Sequence, residues 1–289
     1  MKRITTMLVL LYAASFCTSD WDGVHEVYST DSTGSNFLQI KGGVYTLKNK
    51  PYTGKFVGCN CWDHPCELPE GNFLGYDCSC DGCSLTGNIK NGKLHGEWKS
   101  FYGNGNLISV QNYKDGKLQG ESKSFYEDGK LKTVGNYKDN RADGEWKTFD
   151  ENGELAIVEN YSYKDGKLYK ELKAFDGNGN LYYVQNYKDY GQHGEWKMFY
   201  GNGNLQSVVT YKDGIPHGEH KMFYENGNSQ FVINYKDGQV DGEWKEFHEN
   251  GNLMKVMNYK NSLQDGEWKY FDENGNLMRV ENYKDGVRQ

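Results

Sequence analysis

The chain has 289 residues, 36% of them hydrophobic and 15% aromatic, with 36 Gly and only 4 Pro. Apolar content this far below the usual ~45–50% excludes the aliphatic core of a large two-layer enzyme, and 23 Tyr, 13 Phe and 7 Trp exclude a disordered segment. A net charge of −7 disfavours nucleic acid and anionic lipid as partners held by bulk electrostatics.

In chain order, Lys2 and Arg3 precede a short apolar run from Met7 to Tyr12 with Ala13 and Ala14, then small and polar residues up to Ser19. The run is too short to span a bilayer. The pattern predicts a signal peptide over residues 1–19, cleaved after Ser19, and an extracytoplasmic location: secreted, periplasmic or cell-surface. Two alternatives stand beside it. Cys17 is a possible lipid acceptor, although Phe16 sits where such sites want Gly, Ala or Ser, and an unprocessed N-terminus would leave the chain in the cytoplasm. Residues 20–44 form an N-terminal segment.

Residues 45–90 read as a divergent first repeat opening on KPYTGKF, interrupted by a Cys-rich insertion over 57–84. Six cysteines fall there: Cys59, Cys61, Cys66, Cys78, Cys80 and Cys83. An even number in an exported chain argues for three disulfides of undetermined connectivity. The C-x-C and C-x-x-C spacings with His64 nearby leave a metal site as the alternative, but paired C-x-x-C knuckles are absent. No metal or cofactor is assigned. A stapled loop would blunt the exposed strand edge at one end of a repeat array.

From residue 91 to 289 the sequence repeats itself eight times. A Gly-Glu step recurs at Gly96, Gly120, Gly144, Gly194, Gly218, Gly242 and Gly266, with Lys170 replacing Gly in the fourth copy. The spacing is 24 residues, except 26 between Gly144 and Lys170, where NYSYKDG carries a doubled tyrosine, Tyr161 and Tyr163. Each copy reads as one hairpin: a strand such as GEWKSFY, an Asn-Gly or Asp-Gly step such as Asn104-Gly105, and a return strand carrying Leu107, Val110 and Tyr113. Asn-Gly suits a type I′ turn, which needs two residues with positive φ. A second turn, Asp115-Gly116 in the first copy, leads onward. The three-residue spacing in the return strand breaks strict alternation and predicts a bulge or strong twist there. The expected fold is all-β: an elongated meander of about nine stacked hairpins.

Phe101 and its equivalents recur in every copy and predict a ring ladder between hairpins, each pair adding about 0.5–1.5 kcal/mol. Trp98, Trp146, Trp196, Trp244 and Trp268 share a slot filled elsewhere by Ser122, Leu172 and His220, so these five indoles are the candidate binding residues. Glu97 and its copies are expected to pair with Lys across the sheet. The position before the Gly, filled by His95, Gln119, Asp143, Tyr169, His193, His217, Asp241 and Asp265, reads as a variable solvated slot.

The pattern NGKLHGEWKSFYGNGNL followed by NYKDG resembles the MORN-type repeat, and most nearly the bacterial variant of YwqK-like proteins, often labelled antitoxin components. The resemblance implies a hairpin stack and a non-enzymatic binding role, and says little about the partner. No nucleophile elbow, zincin helix, phosphate loop or dinucleotide fingerprint occurs. The expected function is an exported, non-enzymatic scaffold that binds a protein partner. The alternatives are an antitoxin that neutralises a toxin by binding it and a carbohydrate-binding surface protein.

Overall fold

The computed structural model describes residues 84–289 and, before them, residues 26–29, 36–41, 44–47, 50–51 and 53–59, with side chains at 53 and from 85 onward. The predicted signal peptide with Cys17, and the Cys-rich loop beyond Cys59, lie outside the described residues.

Eight hairpins follow one another (numbered 1 to 8 below), each with an outgoing and a return strand. They begin with Lys93–Phe101 and Leu107–Lys114 and end with Gly266–Phe271 and Leu277–Lys284. Before them, Gly54–Cys59 pairs with Ser84–Lys90; Gly54↔Ile89 stands where Gly96↔Tyr113 stands in hairpin 1. Strands Glu26–Ser29, Asn36–Lys41, Val44–Leu47 and Lys50–Pro51 make a separate small antiparallel sheet.

The large sheet is open. Each register joins strands adjacent along the chain, and among the described residues none joins Val287–Arg288 to Gly54–Cys59, as a closed ring would need. The main contacts of each strand are with the strands just before and after it. Such an array is quasi-one-dimensional: its stability comes from each hairpin and its two neighbours. The core is correspondingly thin. Among the described residues the buried hydrophobic side chains are Ile89, Trp98, Val158, Ala174, Ile233, Met257 and Trp268, and of these only Ile89 is fully enclosed.

The type I′ turn expected at the Asn-Gly step is not found there. The Asn104-Gly105 loop has three residues between Tyr102 and Asn106, closed by Tyr102 N–H to Asn106 O and Gly105 N–H to Tyr102 O. One residue more than a two-residue turn selects a type I turn followed by a left-handed glycine, so only Gly105 (φ 86) has positive φ. The type I′ turns are those between hairpins, where Asp115 and Gly116 have φ of 53 and 85. All nine follow this pattern, from Asn91-Gly92 to Asp285-Gly286.

The return strand carries the expected bulge: Ser100 faces Ser109 and Phe101 faces Leu107, leaving Ile108 unmatched. A second bulge lies between hairpins. Gln111 faces Ser122 and Tyr113 faces Leu118, so Asn112 alone opposes Gln119, Gly120 and Glu121. Gly120 takes φ 93 there, which explains the recurrent glycine. Between hairpins 3 and 4 the bulge is gone. Eight consecutive pairs run from Ile157↔Ala174 to Lys164↔Lys167, and Lys170 is not left-handed. The two extra residues of the 26-residue spacing supply the two partners that other return strands lack. The long spacing and the missing glycine are therefore one structural event.

Candidate interaction surfaces

One face of the sheet carries the rings. Across it runs a row that alternates outgoing and return residues, from Gly87, Trp98, Gln111 and Ser122 to Trp244, Met257, Trp268 and Glu281. The indoles lie down on this row. A Cβ on Gly87 would come within 2.2 Å of Trp98 Cδ2, and one on Gly135 within 2.1 Å of Trp146 Cδ2. The indole N–H of Trp98, Trp146, Trp196 and Trp268 donates to the backbone carbonyl of Asn88, Asn136, Asn186 and Asn258. Trp98 and Trp268 are only 7% and 8% exposed, while Trp146, Trp196 and Trp244 are half-buried. The five candidate indoles thus share one row of one face, and four of them spend their N–H on the sheet itself, while Trp244 Nε1 is buried without a hydrogen-bond partner among the described residues.

The ring ladder exists, but among the described residues it runs through Trp and Tyr, with Phe231 joining at 5.2 Å from His220 and 6.5 Å from Trp244, and not through Phe101 and its equivalents. Tyr187, Trp196 and Tyr211 succeed one another at 5.3 and 5.2 Å between centroids, and Trp244, Tyr259, Trp268 and Tyr283 at 5.7, 5.5 and 4.8 Å. Phe101 and its equivalents instead face the return-strand residue beside the bulge, Leu107 in hairpin 1, and their carbonyls tie hairpins together. The Tyr102, Tyr126, Tyr200 and Tyr224 hydroxyls donate to the carbonyls of Phe125, Phe149, Phe223 and Phe247 in the next hairpin. Asp150 and Asp176 stand where the tyrosine is expected, and spend their carboxylates on their own turns. An open hollow of about 530 Å³, lined by Glu154, Leu155, Phe175 and Gly177 to Gly179, lies between those two turns.

The opposite face is ionic. The expected Glu–Lys pairs form along the strand, not across it. Glu97–Lys99, Glu121–Lys123, Glu145–Lys147, Glu171–Lys173, Glu195–Lys197, Glu219–Lys221, Glu243–Lys245 and Glu267–Lys269 close at 2.6–2.8 Å. Residues two apart on a strand share a face, which brings each pair together without help from a neighbour. Each is part-exposed and contributes a few tenths of a kcal/mol at most.

The variable slot before the glycine is a contact. His95, His193 and His217 bring Nδ1 to 3.6–3.7 Å from Asp115, Asp213 and Asp237 in the next inter-hairpin turn. Gln119 and Asp241 accept the backbone N–H of Asp139 and Asn261 there.

Sequence reasoning missed two exposed tyrosines. Tyr190 is 88% exposed and left-handed, φ 69, in a turn position that six of the nine turns fill with glycine. Tyr163, in the two-residue insertion, is partly exposed, with the Arg141 guanidinium 5.4 Å from its ring centre. The available signal was a tyrosine where KDG predicts glycine. Among the described residues no three His, Cys, Asp or Glu side chains come together as a metal site; the cysteines beyond Cys59 are not among them.

No curated protein matches the chain. A crystal structure of TcdB2-TccC3-Cdc42 matches with 12% identity over 70% of this chain and 13% of that one, at a TM-score of 0.19, too low to support an argument. Seven segments, residues 94–115, 118–139, 142–163, 192–213, 216–237, 240–261 and 264–285, match the model described as MORN repeat variant. The hairpin left unmatched is the fourth, which carries Lys170 where the others carry the bulge glycine. With more than half its length covered by these seven matches, the chain belongs to the MORN repeat variant family.

Proposed function

We propose that this chain is an exported, non-enzymatic scaffold that binds another protein along its repeat sheet. The observation that carries this reading is the single open layer: strands contact their chain neighbours, leaving a ring face, an ionic face and two rows of turns to meet a partner. The ionic face supports a protein partner over a polyanion, because each lysine in it is already held by its own glutamate. The seated indoles weigh against a carbohydrate platform, which needs open ring faces. An antitoxin would use the same surfaces from inside the cell. Intact mass of the protein from its native host separates the two: loss of residues 1–19 with six protected cysteines supports the exported scaffold, and an uncleaved chain with free thiols supports the neutraliser. Recovery of no stoichiometric protein partner after cross-linking in the host refutes both.

A further inference from the structure

The inter-hairpin turns fall into two electrostatic classes. In residues 90–93, 114–117, 138–141 and 164–167 a cation stands on each side of the turn, giving Lys90↔Lys93, Lys114↔Lys117, Lys138↔Arg141 and Lys164↔Lys167 directly opposite each other. All eight cations are exposed. In the next five turns the second cation is gone: the partners of Lys188, Lys212, Lys236, Lys260 and Lys284 are Gly191, Ile215, Gln239, Leu263 and Val287. The first four turns carry a net charge of +5 and the following five +1, in a chain of net charge −7. Like charges directly opposed in a hairpin destabilise it, so folding alone does not favour this pattern four times in succession. Internal anions only partly offset it: Lys117 engages Asp139 at 3.2 Å, and Asp115 faces His95 at 3.7 Å.

The stripe has a period and an end. Successive turns on one edge are two strands apart, about 9.6 Å. The last basic turn projects further than the others, because the unbulged pairing from Asn160↔Glu171 to Lys164↔Lys167 runs about two residues, 6–7 Å, past the usual turn position. Beside this projection stand Tyr163 with Arg141 over its ring, and on the following turn Tyr190, held exposed in a backbone conformation that costs a non-glycine residue stability. Tyrosine and arginine are the residues that most often anchor protein interfaces.

We propose that this edge binds an extended acidic segment of a partner protein, its carboxylates along the four basic turns and its end against Tyr163 and Tyr190. The proposal rests on the scaffold reading and names the partner's chemistry. In a polyproline-type extended chain every third residue faces the same way, at about 9.3 Å, which matches the turn period. A nucleic acid is a poorer fit, since its continuous charge would run onto the five near-neutral turns and the acidic remainder of the chain.

The test uses the full chain and a fluorescein-labelled peptide of four Glu-Pro-Ser units, read by anisotropy at low salt, with the Gln-Pro-Ser peptide as control. The Glu peptide is expected to bind and the Gln peptide not. Lys93→Glu with Arg141→Glu and Lys167→Glu should weaken binding at least about tenfold, whereas Lys212→Glu with Lys236→Glu and Lys260→Glu, the same charge change on the other turns, should alter it less than about threefold. Circular dichroism verifies that both variants are folded. Absence of binding, equal losses in the two variants, or tighter binding of oligo-dT or of phosphatidylserine vesicles overturns the proposal. If a partner cross-linked in the host is still bound by the first variant, the acidic-segment proposal fails while the scaffold reading stands.

Discussion

Deleting Ser162 and Tyr163 restores the 24-residue spacing and leaves NYKDGKLYKEL, which aligns with NYKDGKLQGES at the junction of hairpins 1 and 2. The shortened return strand loses the residues that face Leu168 and Tyr169, so the bulge must re-form at residue 170. Equivalent glycines there have φ between 70 and 105. A lysine forced into that region costs about 1–2 kcal/mol. Lys170→Gly alone is also unfavourable: it breaks the 2.9 Å pair with Glu159, whose carboxylate is only 20% exposed, and puts glycine in an unbulged strand. Together, however, the two changes rebuild the ordinary junction. The double variant should therefore be about 1–2 kcal/mol more stable than the sum of the single effects. Native-state hydrogen exchange of the hairpin 4 amides reads this locally, which suits an array that need not unfold as one unit. Strict additivity, or a double variant worse than additive, would refute the claim that long spacing and missing glycine are one event.

Gly135→Ala drives a Cβ into the Trp146 indole and should cost about 1–3 kcal/mol, while Gly103→Ala, with nothing within 4 Å, should leave the denaturation midpoint nearly unchanged. Tyr190→Gly should raise local stability by about 1 kcal/mol in the same exchange experiment; a drop would show that the exposed ring makes a contact within the fold. The Asp150, Asp176 and Asp272 carboxyls are held below the usual carboxylate range by hydrogen bonds from Glu154, Asn180 and Asn276 respectively. Their folded values lie under their unfolded ones, so their contribution is complete above the ordinary aspartate range and is lost as pH falls through the folded values. Replacing all three with Asn should flatten the acid limb of a stability–pH titration, and an unchanged limb would contradict this.

Much of the fold was legible because period, turn residues and strand chemistry agree in every copy. The return-strand bulge followed from the spacing of Leu107, Val110 and Tyr113 alone. The turn types were not legible from dipeptides: Asn104-Gly105 and Asp115-Gly116 look alike, and only the count of residues between paired ends separates them. The phenylalanine ladder failed for a similar reason. Constancy marked Phe101 as structural, but the bulge at Ile108 changes which side chains share a face, and the stacking passes to Trp and Tyr. The basic edge was hidden by net charge, since a value of −7 averages over a stripe that only the register reveals. What the indoles bind outside the chain was not legible at all, because the sheet itself claims most of their surface.

The central claim is that each hairpin depends on its two neighbours and on nothing further along the chain. Removing residues 215–238 takes out one whole hairpin and joins Gly214 to Gln239, restoring the same turn sequence. The account predicts a folded monomer with unchanged strand circular dichroism per residue and a modestly lower unfolding temperature. Loss of the β signal, or aggregation at concentrations where the full chain is soluble, would show that distant hairpins support one another and would contradict it.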